Sequence, residues 1–244
     1  MMVKRLFDFL LALVGLVLVG PILLAVMFLV WWGDRHSPFY VAPRVGRDGR
    51  IFRMVKMRSM AINADSSGVS STANTDQRIT PVGHFIRQFK IDELTQLWNV
   101  LWGDMSFVGP RPQVQAGVDL YTSKERELLR VRPGITDFAS IVFSDEGAIL
   151  EGSVDPDGDY NRLIRPWKSR LGLTYIAASS IWLDLRLVLL TVIALFSRDL
   201  ALRGVSGILQ AVGANADVVT ICRRQSPLRP TAPPADSYLP LSRG

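Results

Sequence analysis

Cysteine is almost missing from these 244 residues: Cys222 stands alone, so no disulfide can close within the chain and a reducing, cytosol-facing setting fits. Histidine is nearly as scarce. His36 and His84, with no cysteine cluster beside them, leave no structural zinc site. Long Lys/Arg runs are absent too. The 28 basic residues exceed the 22 acidic ones, for a net charge of +6, but they are dispersed. That sets nucleic acid aside and favours lipid head groups and nucleotides as anionic partners. A cleaved leader is not expected: the apolar N-terminal run is too long for a signal core, and no Ala-x-Ala-like site follows before Trp31-Trp32. Internal repeats are also lacking.

What is present is grease at one end. The hydrophobic share is 48%, and its excess lies between Phe9 and Trp32, about 24 residues without a charge. As a straight helix at ~1.5 Å per residue, this stretch is long enough to cross a ~30 Å hydrocarbon core. Two features argue against a plain span. Gly20-Pro21 falls mid-segment, where proline removes a hydrogen bond and bends a helix. Both flanks are basic, Lys4 and Arg5 before it and Arg35, Arg44, Arg47 and Arg50 after it, so both ends prefer the cytoplasmic side. A re-entrant helix hairpin turning at Pro21 satisfies both. Asp8 is expected to pair with Lys4 or Arg5 or to cap the helix start. Trp31, Trp32, Phe39 and Tyr40 read as interfacial anchors.

Beyond the anchor, residues 40 to 58 alternate basic and apolar character around a turn at Arg47-Asp48-Gly49-Arg50, predicting two short strands. Asn63 to Asp76 reads as a polar surface loop. Leu94, Leu97, Trp98 and Leu101 have helical spacing, with Asp92 and Glu93 at the helix start and Gly103 as its stop. Asp119 to Arg132 is expected to form a charged helix ended by Pro133-Gly134, and Gly147 to Asp159 an acidic loop. Arg162 to Ile181 is expected to be helical. Leu183 to Phe196 is apolar but short and carries Asp184 and Arg186, which suits a helix in the membrane interface or on the core. The expected fold is α+β, mainly helical: a membrane anchor over 1–38, a compact cytoplasmic catalytic domain with interfacial amphipathic helices over 39–210, and a disordered tail over 211–244.

Two carboxylates side by side, followed by a stiff basic loop, suit a phosphate ester handled with a divalent metal. Arg111 lies between Pro110 and Pro112, which restrict the backbone on both sides, and a guanidinium held so rigidly suits bidentate phosphate binding. Lys56, Arg58, Arg87 and Arg132 are further phosphate-side candidates, each of which could equally be a surface charge. Asp104 is either a second metal or nucleotide contact or a cap of the Gly103 turn. Trp98 and Trp102 read as packing.

The ordered blocks Arg47-Asp48-Gly49, Phe52-Arg53-Met54, Lys56-Met57-Arg58-Ser59-Met60, Asp92-Glu93-Leu94-Thr95-Gln96-Leu97-Trp98-Asn99-Val100, Gly103-Asp104-Met105-Ser106-Phe107-Val108-Gly109-Pro110-Arg111-Pro112 and Arg132-Pro133-Gly134-Ile135-Thr136 resemble the bacterial sugar transferase family. These are the monotopic phosphoglycosyl transferases that start glycan assembly. The resemblance implies transfer of a sugar 1-phosphate from a UDP-sugar to undecaprenyl phosphate, with release of UMP, at the cytoplasmic face of the bacterial inner membrane. It implies a covalent phosphosugar on Asp92, with Glu93 as its partner. It also implies magnesium, with Asp92 and Glu93, and more weakly Asp104, as ligands. One segment departs from the family pattern. Asp137-Phe138-Ala139-Ser140 replaces a Gly-Trp-Ala-Gln-like stretch, which bears on sugar and nucleotide selectivity. The competing reading is a non-catalytic membrane scaffold of a polysaccharide assembly complex, against which the retained Asp92, Glu93 and Arg111 speak.

Overall fold

Helix α1 (Met2–Asp34) takes up the whole apolar segment in the computed structural model, which describes residues 2–64, 72–73 and 75–241. The hairpin expected at Gly20-Pro21 is here one continuous helix with Pro21 inside it. The domain splints it. Ala12, Leu23, Val26 and Val30 are buried and Leu16 and Val19 pack beside them, so residues on both sides of the proline are held by the same body. Leu6, Leu10, Leu13, Val17, Leu18, Leu24 and Phe28 are exposed.

A hairpin follows. Strands β1 (Phe39–Val45) and β2 (Ile51–Met57) pair antiparallel from Phe39↔Met57 to Val45↔Ile51, the two strands predicted around the Arg47–Arg50 turn. Asp48 (φ 57°) and Gly49 (φ 76°) supply the left-handed residues that reverse the chain. Ala42, Val45, Phe52, Met54 and Met57 point inward. The polar loop expected over Asn63 to Asp76 falls largely outside the described residues.

Helix α2 (Pro81–Gln88) starts on Thr80, whose hydroxyl accepts from the Gly83 N–H at 2.9 Å, with proline in the first turn. The predicted Leu94–Leu101 helix is split. Asp92 and Glu93 sit in the one-turn helix α3 (Ile91–Leu94), separated by Thr95 and Gln96 from α4 (Leu97–Trp102). Gly103 ends α4 at φ 92°, the stop read from the sequence.

Strand β3 (Ser106–Val108) then leads to the proline-flanked loop and α5 (Gln115–Asp119). The single charged helix expected over Asp119 to Arg132 does not form. Thr122 and Glu125 cap one another (Thr122 N–H to Glu125 Oε2 at 3.0 Å, Glu125 N–H to Thr122 Oγ1 at 3.1 Å) and restart the chain as a 3₁₀ turn over Glu125–Arg130. Strand β4 (Gly134–Thr136) pairs parallel with β3.

Helix α6 (Phe138–Val142) follows β4, and α7 (Glu146–Ile149) and α8 (Pro156–Asp159) place short helical turns at the two ends of the Gly147 to Asp159 stretch read as an acidic loop. Helices α9 (Arg165–Ala178), α10 (Ile181–Phe196), α11 (Arg198–Ala211) and α12 (Ala216–Cys222) complete the main core, with Phe138, Ile141, Leu171, Tyr175, Leu187, Val205, Leu209 and Val218 buried together. The tail expected to be disordered from residue 211 instead contains α12 and a strap. Arg170 donates to the Ala232 carbonyl (2.9 Å), Thr122 to that of Pro234 (3.0 Å), and Leu228 and Tyr238 pack on the core. Prolines removed backbone donors here, and side chains of the domain supplied bonds to the remaining carbonyls.

The two glycine-proline blocks meet backbone to backbone. The Gly134 N–H donates to the Pro110 carbonyl (3.0 Å) and that of Gly109 to the Thr136 carbonyl (3.0 Å). A Cβ on Gly134 would lie 2.1 Å from the Gly109 nitrogen. Gly134→Ala is therefore expected to cost about 3 kcal/mol or more. Thermal unfolding in detergent checks this, and a midpoint equal to wild type would show that the blocks do not touch so closely.

Candidate active site

The site grows from a clamp on β2. Thr95 Oγ1 donates to the Val55 carbonyl at 3.1 Å and also lies 3.1 Å from the Asp92 carbonyl. Four residues on, Asn99 accepts from the Val55 N–H (2.9 Å) and donates to the Arg53 carbonyl (2.7 Å). Thr95 and Asn99 thus bind the strand's backbone from one side of the α3–α4 segment, and the next strand residue, Lys56, comes to face Asp92. Both clamp residues are buried. The sequence reading missed this role, although their i, i+4 spacing inside an apolar pattern was its signal. Between them Gln96, 1% exposed, buries an amide with no hydrogen-bond partner among the described residues.

Before α3, Lys90 adopts a left-handed backbone (φ 52°) that separates α3 from α2. Ile91 is buried against α1 and Leu94 packs beside it, so the carboxylate pair stands directly next to the apolar helix. Lys56 Nζ lies 3.5 Å from Asp92 Oδ2, and Arg111 donates to Glu93 Oε1 at 2.8 Å. Each acid thus faces its own cation. Adjacent residues on a helix project about 100° apart, which is why one basic group cannot serve both.

The electrostatics separate the partners further. Burial alone would raise the Glu93 pKa. Arg111, with Lys90 and Lys56 behind it, overrides that and lowers it from 4.5 to about 2. Arg111 is held more firmly protonated in return. Burial and the neighbouring Arg111 charge push the Lys56 ammonium below its ordinary value, against the pull of Asp92 and Glu93. A desolvated cation flanked by another cation favours an incoming anion. Arg87 adds to this field, close enough to depress Lys56.

Three of the sequence candidates are placed elsewhere. Arg58 forks onto the Asp34 carboxylate at the end of α1, with Nη2–Oδ1 at 2.7 Å, and also donates to the Ser37 carbonyl. Arg132 donates through Nε to the Gly103 carbonyl at 2.8 Å and braces the turn after α4. Asp104 is exposed beyond the far end of α4, 3.4 Å from the Asn99 amide. None of the three is placed against the pair in this arrangement: the two arginines are engaged by carbonyls and a carboxylate elsewhere, and Asp104 meets only the Asn99 amide.

Among the described residues no group of three His, Cys, Asp or Glu side chains could hold a metal ion. The donor set that exists is the two carboxylates of Asp92 and Glu93. It fits magnesium as enzymes commonly hold it, by one or two carboxylates plus oxygens of a substrate diphosphate.

Behind Arg111 lies a second group of charges. Lys168 pairs with Glu146 and sits 5.1 Å from the Tyr160 ring centroid. Asp137 caps α6 through the Ser140 N–H (2.7 Å), its carboxyl pushed up by burial. The Asp137–Ser140 segment thus supplies both a helix cap and a pocket wall, with Phe138 in the core.

This arrangement of residues is matched by a family model described as bacterial sugar transferase over residues 1–198. The chain belongs to the bacterial sugar transferase family. It is 37% identical over 207 residues to the undecaprenyl-phosphate glucose phosphotransferase of Komagataeibacter xylinus, covering 82% of this chain and 37% of that protein. It is 35% identical over 196 residues to the UDP-N-acetylgalactosamine-undecaprenyl-phosphate N-acetylgalactosaminephosphotransferase of Aeromonas hydrophila, covering 78% of this chain and 43% of that one. The exopolysaccharide production protein ExoY of Rhizobium meliloti is 39% identical over 150 residues, 55% of this chain and 66% of that one. The chain thus spans less than half the length of the first two relatives.

Within this bacterial sugar transferase the Glu93–Arg111 pair has a pH signature. A carboxylate whose pKa is lowered by folding adds stability that is fully present above its ordinary 4.5 and is lost as pH falls toward about 2. Arg111→Met removes the lowering and leaves burial, so the acid limb of unfolding is expected to move to higher pH. Acid titration followed by tryptophan fluorescence in detergent measures it. An unmoved limb would mean Arg111 does not hold Glu93.

Proposed function

We propose that the chain is a phosphoglycosyl transferase that moves a sugar 1-phosphate from a UDP-sugar to undecaprenyl phosphate and releases UMP. The observation that carries this is the pair of adjacent carboxylates, each opposed by its own cation, on a helical turn packed against an apolar helix. A polar donor can reach the pair from the cytoplasm and a lipid phosphate along the side of α1. The names of the relatives describe this reaction class for those proteins.

In the first step an Asp92 carboxylate oxygen attacks the sugar-bearing phosphorus. The phosphoanhydride bond breaks and UMP leaves with the bonding electrons, needing no proton because it departs as an anion. A strong displacement is thereby divided into two easier ones. Lys56, beside Asp92, and Arg111, fixed by its prolines and by Glu93, hold the phosphoryl oxygens in line for attack. In the second step the phosphate oxygen of undecaprenyl phosphate attacks the same phosphorus and Asp92 is regenerated. Magnesium held by Asp92, Glu93 and the donor diphosphate would neutralise charge on the phosphates.

The membrane disposition follows from α1. Lys4 near its start pairs with Asp184, and Asp34 at its end with Arg58, so both ends are tied to one domain. We read α1 as entering and leaving the same cytoplasmic face of the bacterial inner membrane, with inner-membrane lipids around its exposed flank. Met2→Cys and Ser37→Cys are both expected to resist membrane-impermeant maleimide in intact cells. Labelling of Met2→Cys alone from outside would make α1 a true span and overturn the one-sided reading.

The covalent step has its own test. Incubated with UDP-sugars and magnesium but no lipid, the purified protein is expected to gain one phosphosugar per chain by intact-mass spectrometry. Asp92→Asn should gain none and lose at least about a thousandfold in UMP release. Normal turnover by Asp92→Asn, or the mass gain at another residue, would remove Asp92 as nucleophile.

A further inference from the structure

The pocket behind Arg111 is lined by polar groups whose bonding capacity the carboxylate pair and the fold use only in part. It is open to solvent, and its walls include Arg111, Gln113, Tyr121, Tyr160, Arg165 and Lys168. Asp92, Glu93 and Lys56 stand outside it, and among the described residues Arg111 is the one group that both bonds to the carboxylate pair and lines the pocket. Arg165 donates from Nη1 to the Leu120 carbonyl (3.2 Å), has no carboxylate partner among the described residues, and buries its Nε without a hydrogen bond. Leaving a buried guanidinium donor unpaired is costly, of the kind that a ligand oxygen would relieve. Lys168, across the Tyr160 ring, adds a second buried cation, held charged by Tyr160 and Glu146 against the effect of burial. Gln113 donates to the Tyr160 hydroxyl (3.3 Å) and fixes the ring.

We infer that this pocket seats the nucleotide end of the donor, the pyrimidine nucleoside monophosphate that leaves when Asp92 captures the sugar phosphate. The inference rests on the phosphoglycosyl transferase reading of Asp92. In-line displacement requires nucleophile and leaving group on opposite sides of the phosphorus. Arg111 joins the two places: it lines the pocket and bonds to Glu93, the residue next to Asp92, while Asp92 itself is not among the pocket walls. The leaving phosphate then meets Arg111, Arg165 and Lys168 as its negative charge develops, and the base and ribose fall between the Tyr121 and Tyr160 side chains. A hexose is the poorer occupant, because it offers no anion to Arg165.

The test measures UMP binding at equilibrium by the full chain in detergent micelles, which requires no knowledge of the sugar. Wild type and Asp92→Asn are expected to bind UMP alike. Arg165→Gln and Lys168→Gln are expected to bind it about tenfold or more weakly, as fits loss of a charge-assisted hydrogen bond. Arg165→Gln disturbs no ion pair among the described residues, so it remains informative should Lys168→Gln fail to fold. A covalent adduct together with unaltered UMP binding in Arg165→Gln would overturn the pocket and leave the activity standing. Weakening of inorganic phosphate by the same factor as UMP would also overturn it, by showing an anion site indifferent to the nucleoside. A wild-type protein that neither forms an adduct nor binds UMP would overturn both readings together.

Discussion

One apolar helix is tied to one domain at both of its ends, and the rest of the structure is arranged around that constraint. Near the start, Lys4 pairs with the buried Asp184, which in turn accepts from the Tyr175 hydroxyl at 2.7 Å. One turn on, Asp8, 1% exposed, accepts from the Ser106 hydroxyl (3.0 Å) and the Phe107 N–H (3.1 Å). Arg5 donates to the Val100 and Leu101 carbonyls in the last turn of α4. At the other end the Asp34–Arg58 fork holds α1 to the end of β2. Burying an exposed Leu or Phe of α1 in lipid is worth roughly 1.5–3 kcal/mol each, so membrane affinity comes from the apolar flank. The ion pairs decide orientation instead. They set α1 beside the turn that carries the carboxylate pair.

The same logic places other exposed apolar side chains. Phe85 and Phe89 on α2, Trp98 and Trp102 on α4, and Trp182, Leu189 and Phe196 on α10 all stay exposed, Trp102 at 79% and Phe196 at 86%. α4 packs directly on α1, and α10 is joined to α1 through Asp184, so the helices carrying Trp98, Trp102, Trp182, Leu189 and Phe196 stand next to the anchor. Trp98 and Trp102 are therefore not core residues, and a nucleotide-stacking role has no support from their position.

Local features of this chain were legible in its residues, and long-range pairings were not. The Asp48-Gly49 reversal, the Gly103 stop and the mainly helical character follow from backbone preferences that act over a few positions. The partner of Asp8 did not follow, because Ser106 and Phe107 are some hundred residues away and no periodicity connects them. Lys4 and Arg5, the local candidates, had found Asp184 and the end of α4. Arg58 and Arg132 looked like phosphate ligands for the same reason: a basic residue inside a motif does not reveal whether it faces a substrate or a carbonyl. The tail misled through composition. Prolines and arginines suggest disorder, yet a few bonds donated by Arg170 of α9 and by Thr122 to the strap's own carbonyls suffice to dock it.

Two neighbouring acids with different partners need not share a role, and the distances divide the labour. Glu93 is engaged at 2.8 Å by a guanidinium whose backbone is stiffened by two prolines, so its oxygen is committed to holding Arg111. A carboxylate so committed, with its pKa lowered, is a weak nucleophile and a weak base. Asp92 meets Lys56 only at 3.5 Å, a loose contact that an incoming phosphate can displace without breaking a strong bond. In the proposed reaction Lys56 turns from the acid to the phosphate and leaves Asp92 free to attack. The clamp by Thr95 and Asn99 matters for that reason. It fixes the β2 backbone beside α3 through bonds to Val55 and Arg53 and leaves the Lys56 side chain itself outside the clamp, facing Asp92.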